Sequence, residues 1–463
     1  MFYNNSIYTI AKLIKKLIKW QKNHTKKDIF DLLRIKGLSS QQLRQLAYDC
    51  CFIKRQARKI DTTNFLTLMC LESQKGSPSY NDLVSRFDSV YDISASKQAL
   101  WKKINEPCVL FFQTVLAQII KSKVSEQEIK AFKALGKYKR VIIQDSTIIK
   151  LPSRLFKIFS GVSNLHISVC NARIQGVYDL LSGRFIHFSI DPYSKNDLSA
   201  APELELNEAD LVLRDRGYYT NGEIKRHKDL GADCIYRHKK RNFYMDTYSG
   251  KPIHLIALLQ RKGILDMEVC LNDKERTKVR LLAAPVSQEV ADNRRMRAKK
   301  EIMGHNPSLE VLKLMGWTIF ITTIPRSEAD FDQILKIYRL RWRIEIIFKT
   351  WKSHMQFAKV HNVSFYQLQV LLTARLIMIV ICTHQLYIPY CERISREYTR
   401  ELSLMKFINY LMKNPEKILE LMKVIYTSNR EVACVYQKLI RYCAYEKRKR
   451  LNLKQLEVET FLS

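Results

Sequence analysis

The sequence contains no Cys-x-x-Cys pair, although 11 of its 463 residues are cysteine. Apart from the neighbours Cys50 and Cys51, the cysteines stand singly along the chain. Closely spaced cysteines are typical of disulfide-stabilised folds and of structural zinc sites. Their absence argues against both and predicts reduced thiols in a cytoplasmic protein. The sequence also lacks a His/Cys cluster and a glycine-rich phosphate loop.

Glycine and proline are scarce, at 13 and 11 residues, which predicts long regular elements and few loops. Long apolar runs are missing as well. The longest, LIMIVIC at 376–382, is bounded by Arg375 and His384 and is far shorter than the roughly 20 residues of a membrane span. Lysines interrupt the apolar positions of residues 1–20, so we expect an amphipathic helix there rather than a signal peptide.

Acidic residues are also scarce relative to basic residues. The chain has 78 Lys and Arg against 45 Asp and Glu, a net charge of +33, and the excess is spread along its length. A partner that carries many phosphates is the leading explanation, and an anionic membrane surface is the second.

Residues 1–132 read as helical, because apolar residues recur at spacings of three and four. Within them, SYNDLVSRFDSVYDISASKQALWKKI predicts a helix, a turn and a second helix that carries Lys102 and Lys103. This is the shape of a DNA-binding helix-turn-helix, although any helical hairpin gives the same pattern. We therefore expect an N-terminal DNA-binding domain, with these two lysines as DNA contacts.

The pattern changes near Lys137. Strand-like and helical segments alternate to about residue 242, which predicts an α/β layer with a mixed sheet. Residues 243–325 are rich in strand-like segments, among them KPIHLIALL at 251–259. Residues 326–360 contain an amphipathic helix that bears Glu345, and 361–463 are helical again and suit dimerisation.

Two aspartates follow apolar, strand-like segments: Asp145 comes after VIIQ, and Asp215 ends LVLRD. Each alone is better explained as a turn former or a helix cap. Together with Glu345 they form a three-carboxylate set of the kind that binds Mg²⁺, which prefers oxygen ligands. Paired metal ions of this kind support phosphodiester cleavage.

Glu345 belongs to YRLRWRIEIIFKTWK at 338–352. On an ideal helix, at about 100° per residue, one row within roughly 60° of arc carries the polar residues Tyr338, Arg341, Glu345 and Lys352. The adjoining sector is apolar and faces the core. The alternative interpretation is a solvated basic helix with i,i+4 ion pairs.

The spacing of these four residues resembles the motif of a known protein family. The chain resembles the DDE transposases of bacterial insertion sequences, specifically the insertion-sequence-four family, whose motif is Tyr-x(2)-Arg-x(3)-Glu-x(6)-Lys. Tyr338, Arg341, Glu345 and Lys352 match it without a gap. QDSTIIKLP with Asp145 and LVLRDRGYY with Asp215 resemble the family's other two blocks. The resemblance spans about residues 137–355.

The resemblance implies an RNase H-like catalytic core at 133–242 and 326–360, interrupted by a β-strand-rich insertion at 243–325. Helical N- and C-terminal domains flank this core. Asp145, Asp215 and Glu345 would hold two Mg²⁺ ions, with Mn²⁺ as a substitute. The substrate would be double-stranded DNA, namely the terminal inverted repeats of the element and its target. A homodimer in a synaptic complex, associated with the bacterial nucleoid, is also implied.

The same resemblance assigns DNA contacts. Trp317 would stack on a flipped base, although a buried core tryptophan is the alternative. Arg341 and Lys352 would hold phosphates, and Tyr338 would bond a phosphate oxygen. Arg237, in RHKKR, would face DNA unless that cluster is a solvated loop.

Two rival functions stay open at this point. One is a metal-dependent endonuclease on the same core, and the other is a catalytically inactive, domesticated DNA-binding protein.

Overall fold

The computed structural model describes residues 38–54, 60–74, 76–121, 136–160, 169–239, 242–301, 307–414, 416–425 and 430–445. The amphipathic helix predicted for residues 1–20 lies outside these ranges. All eleven cysteines lie inside them and all are free thiols, as their scattered spacing predicted.

Helices fill the first described part of the chain, as predicted. They are α1 (Ser40–Asp49), α2 (Thr62–Ser73), α3 (Tyr80–Tyr91), α4 (Lys97–Lys103) and α5 (Glu106–Lys121). Serine side chains cap three of them, because Ser39, Ser79 and Ser96 each accept a hydrogen bond from a backbone N–H of the first turn. Asp92, in the left-handed conformation at φ 62°, ends α3 and starts the turn to α4.

A single nine-stranded sheet forms the centre. Its strands are β1 (Arg140–Lys150), β2 (Asn171–Asp179), β3 (Arg184–Pro192), β4 (Asp210–Arg214), β5 (Asp233–Arg237), β6 (Tyr244–Met245), β7 (Leu265–Leu271), β8 (Lys278–Pro285) and β9 (Trp317–Thr322). They lie in the order β3-β2-β1-β4-β5-β9-β8-β7-β6. β1, β4 and β5 are parallel, and the other pairs are antiparallel. The predicted mixed α/β layer is confirmed.

The strand-rich span 243–325 therefore does not form a sheet of its own. β9 returns from that span and pairs with β5, so β6 to β9 extend the sheet that begins with β1 to β5. This span also contains the helices α8 (Leu255–Lys262), α9 (Gln288–Glu301) and α10 (Leu309–Leu314).

The strand predicted for KPIHLIALL is wrong. From Leu255 onward this segment is the helix α8, which buries Leu259 and ends at Gly263, where φ is 71°. A short apolar run fits a strand or a buried helix equally well by periodicity. The glycine at the helix end was the signal that favoured a helix.

Both faces of the sheet are covered. Along β1, Val141 and Ile143 belong to one apolar core, whereas Ile142 between them belongs to a second. The first core includes the helices that follow the sheet, and the second includes Ile224 of α7 (Asn221–Asp229) and Leu259 of α8. The short helix α6 (Asp197–Ala200) lies between β3 and β4 in the chain.

Helices again follow β9. They are α11 (Phe331–Arg339), α12 (Trp342–His354), α13 (Phe365–Val380), α14 (Ile388–Tyr398), α15 (Leu404–Lys413), α16 (Glu416–Val424) and α17 (Arg430–Cys443). A π-helical segment, Ile381–Tyr387, joins α13 to α14. The described residues after α12 are thus mainly helical.

The helix through Phe365–Tyr398 is longer than the LIMIVIC run suggested. Among the described residues it alone has the length and apolar character of a membrane span, yet 89% of its most apolar window is buried within the protein. Arg375, at the middle of α13, is fully buried and donates to the carbonyl oxygens of Ser73, Gly76, Phe357 and Lys359. This helix is the central core helix, and it ties the N-terminal helices to the segment after α12.

Candidate active site

Asp145 and Asp215 lie on neighbouring strands. β1 and β4 are parallel, with Gln144 opposite Arg214, so the next residue of each chain is an aspartate. Adjacent strands are about 4.8 Å apart. Asp145 follows Val141 and Ile143 at alternate positions, and this places its side chain on the face covered by α12. The structure thus brings the two acids together. Asp215 directly follows β4, as predicted, but Asp145 lies in the middle of β1 and not at its end.

Glu345 completes the group from α12. Arg341 Nη2 donates to Glu345 Oε1 at 2.6 Å, and its Nη1 lies 3.5 Å from Asp145 Oδ2. The Arg341 side chain is only 5% exposed. The guanidinium therefore lies between the first and third acids and partly neutralises both.

The motif does not form one ideal helix, contrary to the sequence-based expectation. The backbone N–H groups of Leu340, Arg341 and Arg343 bond to carbonyls three residues earlier, so a tighter turn separates α11 from α12. The apolar stripe is nonetheless buried as predicted, including Ile337, Leu340, Ile344, Ile347, Phe348 and Trp351.

Tyr338 lies before this turn and points inward. Its hydroxyl is 3.2 Å from Arg214 O and 3.5 Å from Asp215 Oδ1, and its ring packs on Phe320 with centroids 4.6 Å apart. Burial raises the pKa of the Tyr338 hydroxyl above its usual range. A buried, hydrogen-bonded hydroxyl does not support the predicted phosphate contact. Tyr338 instead anchors α11 beside the second acid.

The three acids influence one another. Burial is the main cause that raises the pKa of Asp145 to about 7, and the charges of Glu345 and Asp215 raise it further. Arg341 and the backbone N–H of Ser146 act in the opposite direction. A buried carboxyl group beside two others is stabilised by a cation, so the electrostatics of this group favour a positive ligand.

The donor set fits a hard divalent cation in its chemistry, since it consists of carboxylate oxygens. However, the part of the chain that the structure describes contains no group of three His, Cys, Asp or Glu side chains close enough together to hold one ion. Arg341 lies between Asp145 and Glu345. Metal binding at all three acids therefore requires the Arg341 side chain to move.

Comparison with known proteins identifies the family. A family model described as Transposase DDE domain matches residues 137–381, more than half of the chain, and this range contains all three acids. The chain belongs to this transposase family. Its members act on DNA and use divalent metal ions. The resemblance inferred from the Tyr/Arg/Glu/Lys motif is confirmed, and the chain is a DDE-type enzyme.

Individual relatives by sequence are also transposases. The chain is 27% identical to the transposase for insertion sequence element IS231F of Bacillus thuringiensis subsp. israelensis, over 81% of this chain and 83% of the relative. It is 23% identical to the transposase for IS1151 of Clostridium perfringens, over 91% and 94%. A solved structure, the cryo-EM piggyBac transposase synaptic complex with hairpin DNA, matches at a TM-score of 0.43 and 10% identity, over 89% of this chain and 83% of that one.

A further acid of the transposase lies beside the site, and the sequence did not single it out. Asp197, the first residue of α6, accepts hydrogen bonds from Ser146 Oγ at 2.6 Å and from Arg173. Ser146 directly follows Asp145 in β1. The NDLSA segment after β3 was the available signal, because an acid there follows a strand, as Asp215 does.

Arg237 and Trp317 lie toward the carboxyl ends of β4 and β5. Arg237 ends β5 opposite Phe320 of β9, and its charge lowers the pKa of Tyr338 slightly against the effect of burial. Trp317 begins β9 three residues before Phe320, so it extends beyond Arg237 on the acid side of the sheet. It is half-buried against the second core, and its carbonyl accepts a hydrogen bond from Arg294 at 3.0 Å. A half-buried ring at this position is compatible with the predicted stacking on a base, in which one face packs against the protein.

The remaining predicted DNA contacts are lysines, and they differ in their exposure to solvent. Lys352 is exposed on α12, and partial burial lowers its pKa. Lys102 is exposed on α4. Lys103 instead turns inward, with Nζ 4.4 Å from the centre of the Phe52 ring, and burial lowers its pKa. A cation–π contact with the helical core does not support the DNA contact predicted for Lys103.

Proposed function

We propose that this transposase binds the ends of an insertion sequence, cleaves them and joins the freed 3′-OH ends to target DNA. The observation that carries this is the convergence of Asp145 in the middle of β1, Asp215 directly after β4 and Glu345 on α12, beside several cations. Both features are what phosphodiester chemistry needs, because acids bind metal ions and cations neutralise phosphates.

The fold supports the same proposal. The strand order β3-β2-β1-β4-β5, with β2 and β3 antiparallel and the other three parallel, is the arrangement of an RNase H-like core. We assign this core to residues 133–242 and 326–360, with 243–325 as its insertion. The helical segments 1–132 and 361–463 are proposed to recognise terminal repeats and to form a homodimer.

Asp145, Asp215 and Glu345 are the proposed ligands of two Mg²⁺ ions, with Mn²⁺ as a substitute. When bound, such ions activate the attacking oxygen and stabilise the leaving one. In this proposal Arg341 also binds a DNA phosphate. Once it leaves the acids, its planar guanidinium can bind a phosphate with two parallel hydrogen bonds. Lys352 and Arg237 supply further positive charge to the DNA backbone.

The test is cleavage of a labelled duplex that carries the element's terminal repeat, in Mg²⁺. Asp145→Asn, Asp215→Asn and Glu345→Gln each remove one ligand charge with little change of shape, and cleavage should fall by at least a thousandfold while duplex binding persists. Asp229→Asn is the matched control, since Asp229 is an exposed acid on α7, paired with Lys225. Near-normal cleavage by any of the three variants removes that residue from the proposed site.

Strand transfer separates this proposal from a simple endonuclease. In a reaction that contains supercoiled target plasmid, the wild-type protein should join cleaved ends to the plasmid. Cleaved ends that accumulate without joined product would identify an endonuclease.

A further inference from the structure

Asp197 contacts the chain directly after both catalytic aspartates. Its Oδ1 accepts a hydrogen bond from Ser146 Oγ at 2.6 Å, and Ser146 follows Asp145. Its Oδ2 lies against Gly217, two residues after Asp215, where an added Cβ would meet that oxygen at 3.3 Å. One carboxylate thus contacts both segments that carry the aspartates.

The contact with β1 leads to the Asp145 carboxylate itself. Ser146 N–H donates to Asp145 Oδ1 at 2.8 Å, while the Ser146 hydroxyl bonds to Asp197 on the opposite face of the strand. A change in the position of Ser146 therefore changes the direction of the Asp145 side chain. Asp197 acts on the first aspartate through this one residue.

The network around Asp197 is held from a third strand. Arg173 of β2 forms an ion pair with Asp197, donates to Ser146 Oγ at 2.9 Å and to Lys195 O at 3.1 Å, and its side chain is only 8% exposed. Gln175, also of β2, donates to the Asp197 carbonyl at 3.0 Å. Asp197 is therefore fixed by its own backbone and by a buried cation, which a flexible surface acid would not be.

We propose that Asp197 is a positioning residue that sets the separation and direction of Asp145 and Asp215 for metal binding. This rests on the proposed function of the two aspartates as metal ligands. Asp197 is placed outside the ligand set, because its Oδ1 is occupied by Ser146 and Arg173. Groups that orient metal ligands in this way typically change metal affinity by about 10- to 100-fold when they are replaced.

The experiment measures Mn²⁺ binding by the full chain without DNA, from the electron paramagnetic resonance signal of free Mn²⁺. Asp197→Ala should weaken binding about 10- to 100-fold, and Ser146→Ala, which removes only the hydroxyl, should weaken it severalfold. In the cleavage assay, high Mg²⁺ should restore much of the activity of Asp197→Ala. A missing metal ligand could not be compensated in that way.

Asp266→Ala is the matched control. Asp266 also neutralises a buried arginine of the same sheet, Arg280, with bonds of 2.7 Å, but β7 lies five strands from β1, roughly 24 Å away. It should lower thermal stability without changing Mn²⁺ affinity. If Asp197→Ala weakened Mn²⁺ binding no more than Asp266→Ala does, or if Ser146→Ala bound Mn²⁺ as the wild type does, the positioning role would be refuted.

Asp145→Asn separates the two proposals. If it abolishes Mn²⁺ binding while Asp197→Ala and Ser146→Ala leave binding unchanged, the metal site stands and the role of Asp197 fails. If Asp145→Asn also leaves binding unchanged, the metal site itself is wrong.

Discussion

Replacing Asp145 with Asn should make the metal-free protein more stable. Burial raises the pKa of Asp145 from the ordinary 3.8 to about 7, so the folded protein binds this proton more tightly than the unfolded chain does. Ionisation above the unfolded pKa then costs stability, and the full cost is present once the pH exceeds the folded pKa. A carboxylate that is proposed to bind a cation is thus a local source of instability in the metal-free protein.

The magnitude follows from the size of the shift. About three pKa units at 1.36 kcal/mol per unit give roughly 4 kcal/mol as the full cost of the Asp145 charge above about pH 8. Asn carries no charge but loses the contact with Arg341 at 3.5 Å, so the net gain is smaller. We expect Asp145→Asn to raise the unfolding free energy by about 2–3 kcal/mol at pH 8. The gain should shrink as the pH falls from 7 toward 4.

The assay is urea denaturation in EDTA buffer at several pH values between 4.5 and 8.5. Asp210→Asn is a suitable control, because Asp210 is a buried aspartate one strand away, paired with Arg140 at 2.9 Å and 2.5 Å. Breaking that pair should destabilise the protein, by about 3 kcal/mol. If Asp145→Asn gave no gain at pH 8, or gave a gain that did not vary with pH, the electrostatic account of the site would be refuted.

Three further outcomes follow from the structure. Affinity for end DNA should fall on the order of 10³-fold or more between 50 and 200 mM salt if six or more phosphates are contacted, and a flat response in a binding titration would assign the positive charge to another partner. Arg375→Met should lower the unfolding free energy by about 3 kcal/mol or more, because buried carbonyls lose their donor, and urea denaturation with a change below about 1 kcal/mol would contradict this. Trp317→Ala should leave the first nick intact and slow the second cleavage step by roughly ten- to a hundredfold, since stacking on a flipped base is worth about 1–3 kcal/mol. Equal slowing of both steps in a time-resolved gel would make Trp317 a core residue.

The sequence predicted the features that neighbouring residues encode. The buried stripe of α12 follows from helical periodicity, and Asp145 and Asp215 each follow a short apolar run of clear pattern. That β1 continues past Asp145 to Lys150 was not predicted. The helix at Leu255–Lys262 was mistaken for a strand because a short apolar run has no decisive period. Local sequence also gave no indication of the tight turn at Leu340.

The directions of individual side chains were harder to predict from the sequence. The family resemblance predicted a DNA contact for Tyr338, and the helix-turn-helix pattern predicted one for Lys103. In the structure these side chains pack against Phe320 and Phe52, which are not their neighbours in the sequence. Asp197 was missed for the same reason. Its position is meaningful only because the fold brings Ser146 and Gly217 to it from two other segments.

The pairing of β9 with β5 has a mechanical consequence. β9 is the last strand of the span 243–325, and α11 and then Glu345 follow it within one short stretch of chain. Since β9 is hydrogen-bonded into the same sheet as β1 and β4, that span cannot tilt as a separate body without bending the sheet or moving the helix that carries the third acid. Force applied to the outer strands would reach β9 through backbone hydrogen bonds, and Glu345 through the chain that follows β9. Shortening the outer strands β6 and β7 is therefore a milder change than cutting at β9, which would leave β5 as an open edge.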